Sequence, residues 1–250
     1  MPLPPDFAQT GLHMVRTGGT VVTRYQVIGE RSSGTNFVKR LLGRNTDLKP
    51  TEALGWKHGF PHMMAIPADM AVILVVRSAD TWVRSMFSKP WHTTPAMQAL
   101  PFPDFIRAPW DTIIDRPRYF EGLIPNGSIG TPLQHDRHPV TGARFENLFK
   151  LRTAKLQSML SLLNRDCTCA VIRMEDAQAR PEETLEAITK AFGTAPPHAA
   201  YRPVVKRLGS KFKAAVPDRP ALPDTWTNAD MNHLRTEIDT EIEAQLGYRY

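Results

Sequence analysis

The chain has 250 residues, 42% of them apolar, and a formal charge of +6. That length suits one large α/β domain or two small ones with a real core. The positive excess is modest and spread along the chain, and no Lys/Arg run is long enough for a nucleic-acid arm. It is as compatible with solvated surface charge as with an anionic ligand.

Residues 1–19 lack an apolar stretch of the kind that signal peptides carry and read as a loose lead-in. Val21–Ile28 is rich in β-branched and aromatic residues and predicts a strand. Gly34–Leu42 predicts a helix, with Phe37, Val38, Leu41 and Leu42 on one face. Ala53–Trp56 predicts a short second strand. Ala71–Val76, AVILVV, is a continuous apolar run, as in a parallel strand buried on both faces. Ala79–Phe87 predicts a helix. From Lys89 to Gly142 prolines and aromatics crowd in without a period, which marks a loop-rich insertion.

Order returns with a long helix over Phe145–Asn164, a strand over Cys169–Met174 and a helix over Pro181–Phe192 with proline in its first turn. A last helix is expected over Asn228–Leu246, capped by Asn228. Cys167 and Cys169 are the two cysteines. They make no disulfide framework, C-x-C alone is a poor zinc site, and both read as reduced and structural. No run reaches about 18 apolar residues, so no membrane span is expected and a cytoplasmic setting is the default. Strands alternating with helices predict a single α/β domain over 1–250. Its mostly parallel sheet is flanked by helices and interrupted by the insertion at 89–142.

Residues 29–37, GERSSGTNF, lie between a predicted strand and a predicted helix. In that context a glycine-rich turn aims backbone N–H groups at a phosphate. The nucleoside-triphosphate version of the loop has the frame G-x-x-x-x-G-K-S/T. Here Thr35 occupies the lysine's place. The loop is expected to hold an anion, but not as an ATPase does.

Four stretches, in order, resemble the P-loop sulfotransferases, which use 3′-phosphoadenosine 5′-phosphosulfate and need no metal for the transfer. SSGTNF is similar to that family's 5′-phosphosulfate loop. VRSADTWVRSMF has an arginine ending a buried strand and a serine eight positions on, Arg77 and Ser85, the pair that holds the 3′-phosphate in the family. WKHGFP is similar to the family's K-T-H-x-P segment without its threonine. IRMED followed by PEE resembles the strand-ending Y-E-D segment and the helix after it. Lys206 and Arg207 stand in a basic stretch that faintly resembles the loop closing over the 3′-phosphate.

The resemblance implies a sulfuryl transfer to an acceptor hydroxyl or amine, with a saccharide or small molecule favoured. It implies His58 as general base, with Lys57 or Arg31 stabilising the leaving phosphate. Arg31, Ser32, Ser33, Gly34, Thr35 and Asn36 would hold the 5′-phosphosulfate. Phe37 would pack on the adenine or in the core, and Arg77, Ser85, Lys206 and Arg207 would hold the 3′-phosphate. No metal, nucleic-acid or membrane partner is implied.

Ser32 stands where the family loop carries a lysine or arginine, and Arg31 sits one residue early. Arg31, Lys39 and Lys57 are the candidate substitutes. His62, His92, His135 and His138 compete with His58 for the role of base. Trp91, Trp110, Tyr119 and Phe120 of the insertion either stack on an acceptor or form a local core. A P-loop nucleotide phosphotransferase, and a non-catalytic nucleotide-binding protein on the same fold, are the alternatives to a sulfotransferase.

Overall fold

A computed structural model describes residues 3–205 and 211–250. In chain order the regular elements are α1 (Phe7–Thr10), β1 (Leu12–Val15), β2 (Arg24–Gly29), α2 (Thr35–Asn45), β3 (Lys49–Pro50), β4 (Met70–Val76) and α3 (Ala79–Ser88). Then come α4 (Pro95–Ala99), α5 (Phe102–Arg107), α6 (Leu148–Leu160), β5 (Cys169–Arg173), α7 (Met174–Ala179), α8 (Pro181–Phe192), α9 (Asn228–Glu237) and α10 (Thr240–Gln245). The chain divides into two compact units. One holds residues 3–78, 155–205 and 239–249; the other holds 79–154, 211–238 and 250.

The first unit is built on a five-stranded sheet in the order β1-β5-β4-β2-β3. Every pairing is parallel except that of β1 with β5. All seven residues of β4 are buried, as its unbroken apolar sequence requires. Val38, Leu41 and Leu42 of α2 are fully buried in the same core as Val27, Ile73 and Val75 of the sheet. Each such side chain contributes roughly 1.5–3 kcal/mol by leaving water. The register of β2 on β4 is pinned at its start, where Arg24 donates to both carboxylate oxygens of Asp69 at 2.9 and 2.6 Å. Those two hydrogen bonds, with a third from the Thr23 hydroxyl, pull the Asp69 carboxyl down to about 2.

The connections fix where a ligand can bind. The chain leaves β2 for β3 on one side, and leaves β4 for β5 on the other. Between β2 and β4 the connections therefore diverge, and the crevice beyond their carboxyl ends is the binding position of open α/β sheets. Gly29 and Val75 face each other in register at that crevice.

Several boundaries differ from the sequence reading. The lead-in is not loose: residues 7–10 turn into a short helix, and Leu12–Val15 adds an antiparallel edge strand. The expected strand at Ala53–Trp56 is absent; the pairing with β2 is made earlier, by Lys49 and Pro50. The expected helix over Asn228–Leu246 is two helices. Thr227, not Asn228, caps α9, accepting from the Asp230 N–H. Ile238 is extended, and the Asp239 carboxylate then caps Glu241 and Ile242 to start α10.

In the second unit the insertion is ordered by aromatic packing rather than by period. Phe87 meets Phe102 and Phe105 edge-on at 5.4 and 5.2 Å, and Phe105 meets Trp110 at 5.7 Å. Trp110 is 1% exposed and donates from Nε1 to Asp136 at 3.2 Å. It is a core residue and presents no face to an acceptor. Trp91 and Phe120 are half-buried and Tyr119 is exposed.

Candidate functional site

The loop between β2 and α2 is shaped by its backbone. Ser32 has φ 64° and Gly34 φ 98°, both left-handed. A Cβ on Gly34 would fall 2.1 Å from Met174 Sδ, so only glycine lets the loop lie on α7. A Cβ on Gly29 would fall 2.6 Å from the Val75 carbonyl oxygen. Ser33 is fully buried and spends its hydroxyl and its N–H on the Glu30 carbonyl, at 2.7 and 3.2 Å. Its side chain closes the turn instead of reaching outward.

Gly34 caps α2 without a side-chain hydrogen bond, and the first turn of α2 carries no acid. A cation takes up that position. Lys57 Nζ donates to Asn36 Oδ1 at 2.6 Å, placing an ammonium at the positive end of the helix dipole. Its partner there is a neutral amide. Burial, and the nearby charges of Lys39 and Arg40, lower the Lys57 pKa against the opposing pull of Glu52. Lys39 itself pairs with Glu52 at 2.5 Å, so its charge is already compensated. Among the candidate substitutes for the loop lysine, Lys57 and Arg31 stand at the loop. Arg31 is buried with its guanidinium 5.8 Å from the Trp56 ring centroid.

His58 follows Lys57 and lies against the start of the loop. Its Nδ1 is 2.7 Å from the Gly29 carbonyl oxygen, while the Gly29 N–H donates to the Lys57 carbonyl at 3.0 Å. The His58 pKa is held well below its ordinary 6.5, first by burial and then by Lys57, with Arg31 and Lys155 adding to it; the Gly29 bond opposes them. The imidazole is therefore neutral at pH 7.

Arg77, at the end of β4, donates from Nη1 to the Ser32 carbonyl at 3.0 Å. It braces the loop from the other side of the crevice. Glu175 in turn fixes the residue after it, accepting from the Ser78 N–H at 3.0 Å and from the Tyr248 hydroxyl at 2.9 Å. Glu175, the acid of the IRMED stretch, thus ties the residue after Arg77 to Tyr248.

The remaining expectations fall elsewhere. Phe37 is half-buried against the core of the sheet. Thr35 is buried at the start of α2, and Asn36 is exposed. Ser85 is half-buried on α3 in the second unit. Lys206 and Arg207 lie outside the described residues. Of the competing histidines, His92 is buried with Nδ1 2.6 Å from Asp115, and His138 closes a turn by accepting from Val140 and Thr141. Cys167 and Cys169 are buried free thiols.

Sequence reasoning missed Lys155. It lies on α6 between Leu151 and Met159, one turn away on either side and both buried, and is itself 3% exposed. Its Nζ donates to the His58 carbonyl at 2.7 Å. The signal was present: a lysine at the spacing of an apolar helix face.

The fold and this crevice define an α/β protein with a mostly parallel sheet and a basic, glycine-shaped loop at its topological switch point. No helix among the described residues is long and apolar enough to cross a membrane. No family model, no curated protein and no solved structure matches the chain.

Proposed function

We propose that the protein is a P-loop-type sulfotransferase. It would move a sulfuryl group from 3′-phosphoadenosine 5′-phosphosulfate to an acceptor hydroxyl or amine of a saccharide or small molecule. The observation that carries the reading is the grouping at one loop of Lys57, Arg31 and Arg77 with a neutral histidine of fixed tautomer. A glycine-shaped loop flanked by Lys57, Arg31 and Arg77 suits an anionic phosphosulfate.

The donor supplies an activated sulfuryl group on a phosphate leaving group. His58 Nε2 accepts the acceptor's proton as the acceptor oxygen or nitrogen bonds to sulfur. The bond from sulfur to the bridging oxygen breaks, and Lys57 and Arg31 stabilise the charge that gathers on the departing phosphate. The products are the sulfated acceptor and adenosine 3′,5′-bisphosphate, with the proton on His58. As in phosphoryl transfer, positioning and charge stabilisation do most of the work. The proposal includes a cytoplasmic setting, where Cys167 and Cys169 stay reduced.

The test is calorimetric binding of adenosine 3′,5′-bisphosphate against AMP and against ATP with Mg²⁺. Tighter binding of the bisphosphate than of either competitor supports the reading. Equal or tighter binding of ATP with Mg²⁺ overturns it in favour of a phosphotransferase.

A further inference from the structure

Asn36 stands at a defined place in the loop frame. Where a nucleoside-triphosphate loop reads G-x-x-x-x-G-K-S/T, residues 29–36 read G-E-R-S-S-G-T-N. Thr35 takes the place of the lysine, and Asn36 that of the hydroxyl residue. In a triphosphate loop that hydroxyl holds Mg²⁺ against the phosphates. The frame's lysine and its metal-holding hydroxyl are thus both replaced.

The fold brings a cation to Asn36 from elsewhere in the chain. Lys57, 21 residues on and between β3 and β4, donates from Nζ to Asn36 Oδ1 at 2.6 Å. An ammonium on the first turn of a helix has the wrong sign for the helix dipole. Burial and the charges of Lys39 and Arg40 also work against it, while Glu52 favours it. The amide oxygen of Asn36 directs the ammonium without cancelling its charge, whereas a carboxylate there would neutralise it. A directed, full charge is what an anionic ligand calls for.

We infer that Asn36 is the positioning residue of Lys57, and that the ammonium it holds serves the donor's 5′ phosphosulfate in the place a triphosphate loop gives to a divalent metal. The inference rests on the donor reading above. Asn36 acts through Lys57 and is not itself a ligand of the donor.

The experiment titrates wild type, Asn36→Ala, Lys57→Met and the double variant with adenosine 3′,5′-bisphosphate and with adenosine 3′-monophosphate. Wild type is titrated both with Mg²⁺ and with a chelator, and should bind the bisphosphate equally in the two. Lys57→Met should lose about 10- to 100-fold of bisphosphate affinity and Asn36→Ala about 3- to 10-fold, with the monophosphate unchanged in each. The double variant should lose no more than Lys57→Met alone, because Asn36 has nothing left to position.

Losses that add in the double variant overturn the inference, since Asn36 would then act without Lys57. So does a Lys57→Met protein that keeps its bisphosphate affinity, a loss shared equally by the monophosphate, or a wild type that binds the bisphosphate more tightly with Mg²⁺. Asn36 is exposed and Lys57 half-buried, so the variants should keep the wild-type Tm. Should Lys57→Met not fold, the Lys57 ¹³Cε and Asn36 side-chain amide resonances of labelled wild type decide. Movement of both with the bisphosphate but not the monophosphate supports the inference, and no movement overturns it. A wild type that prefers ATP with Mg²⁺ to the bisphosphate fails the donor reading itself, which is a different result.

Discussion

The carbonyl oxygen of Gly29 stands 2.7 Å from Nδ1 of His58. A carbonyl can only accept, so Nδ1 carries the proton and Nε2 keeps the lone pair. One hydrogen bond between the first residue of the loop and the histidine sets both the tautomer and the orientation of the proposed base. His58→Gln should lower transferase turnover by about 100- to 10,000-fold while leaving adenosine 3′,5′-bisphosphate binding nearly unchanged. Calorimetry beside single-turnover kinetics separates the two. Unchanged turnover would remove His58 from the mechanism.

The same histidine makes stability depend on pH in a defined direction. Its folded-state pKa is below the ordinary 6.5. Between those two values the unfolded chain holds a proton that the folded chain does not, so stability falls as pH drops below about 6.5 and is fully present above it. Urea unfolding of wild type and His58→Gln at about pH 5 and pH 7.5 should show the wild type losing more stability on acidification. Equal losses would contradict the lowered pKa.

Arg77 braces the loop through the Ser32 carbonyl at 3.0 Å. Arg77→Ala should weaken adenosine 3′,5′-bisphosphate binding by about 10- to 100-fold, and Arg77→Lys should not restore it, because an ammonium lacks the planar fork. Full rescue by lysine would reduce Arg77 to a point charge.

Gly34→Ala meets two obstacles: a φ of 98° and a Cβ 2.1 Å from Met174 Sδ. Overpacking and backbone strain together should cost about 2–4 kcal/mol in chemical denaturation. Adding Met174→Ala should relieve the clash but not the strain, so the double variant recovers only part. Complete recovery would show the backbone unstrained.

In the second unit, Asp136 accepts from both Trp110 Nε1, at 3.2 Å, and the Thr112 hydroxyl, at 2.9 Å. All three residues are buried. Asp136→Ala leaves two buried donors unpaired, at about 1–3 kcal/mol each, and should lower Tm by several degrees. A Tm unchanged by the substitution would mean that Trp110 is not anchored as described.

The α/β class, β4 as a doubly buried strand and the glycine loop between β2 and α2 were legible from residue order alone, because these depend on local period and on backbone freedom. It also marked Lys57, His58 and Arg77 in their chain order. Which groups those residues touch came from the fold: Asn36 for Lys57, the Gly29 carbonyl for His58 and the Ser32 carbonyl for Arg77. The switch point between β2 and β4 comes from strand order, which no local pattern encodes. The break between α9 and α10 comes from a competing Asp239 cap inside a helical pattern. The aromatic core of the insertion comes from edge-on contacts among residues with no common period. Lys155 shows the limit most clearly. Helical spacing puts it on a buried face, yet only the fold sets its ammonium on the His58 carbonyl, because an interaction spanning 97 residues depends on how the chain returns to itself.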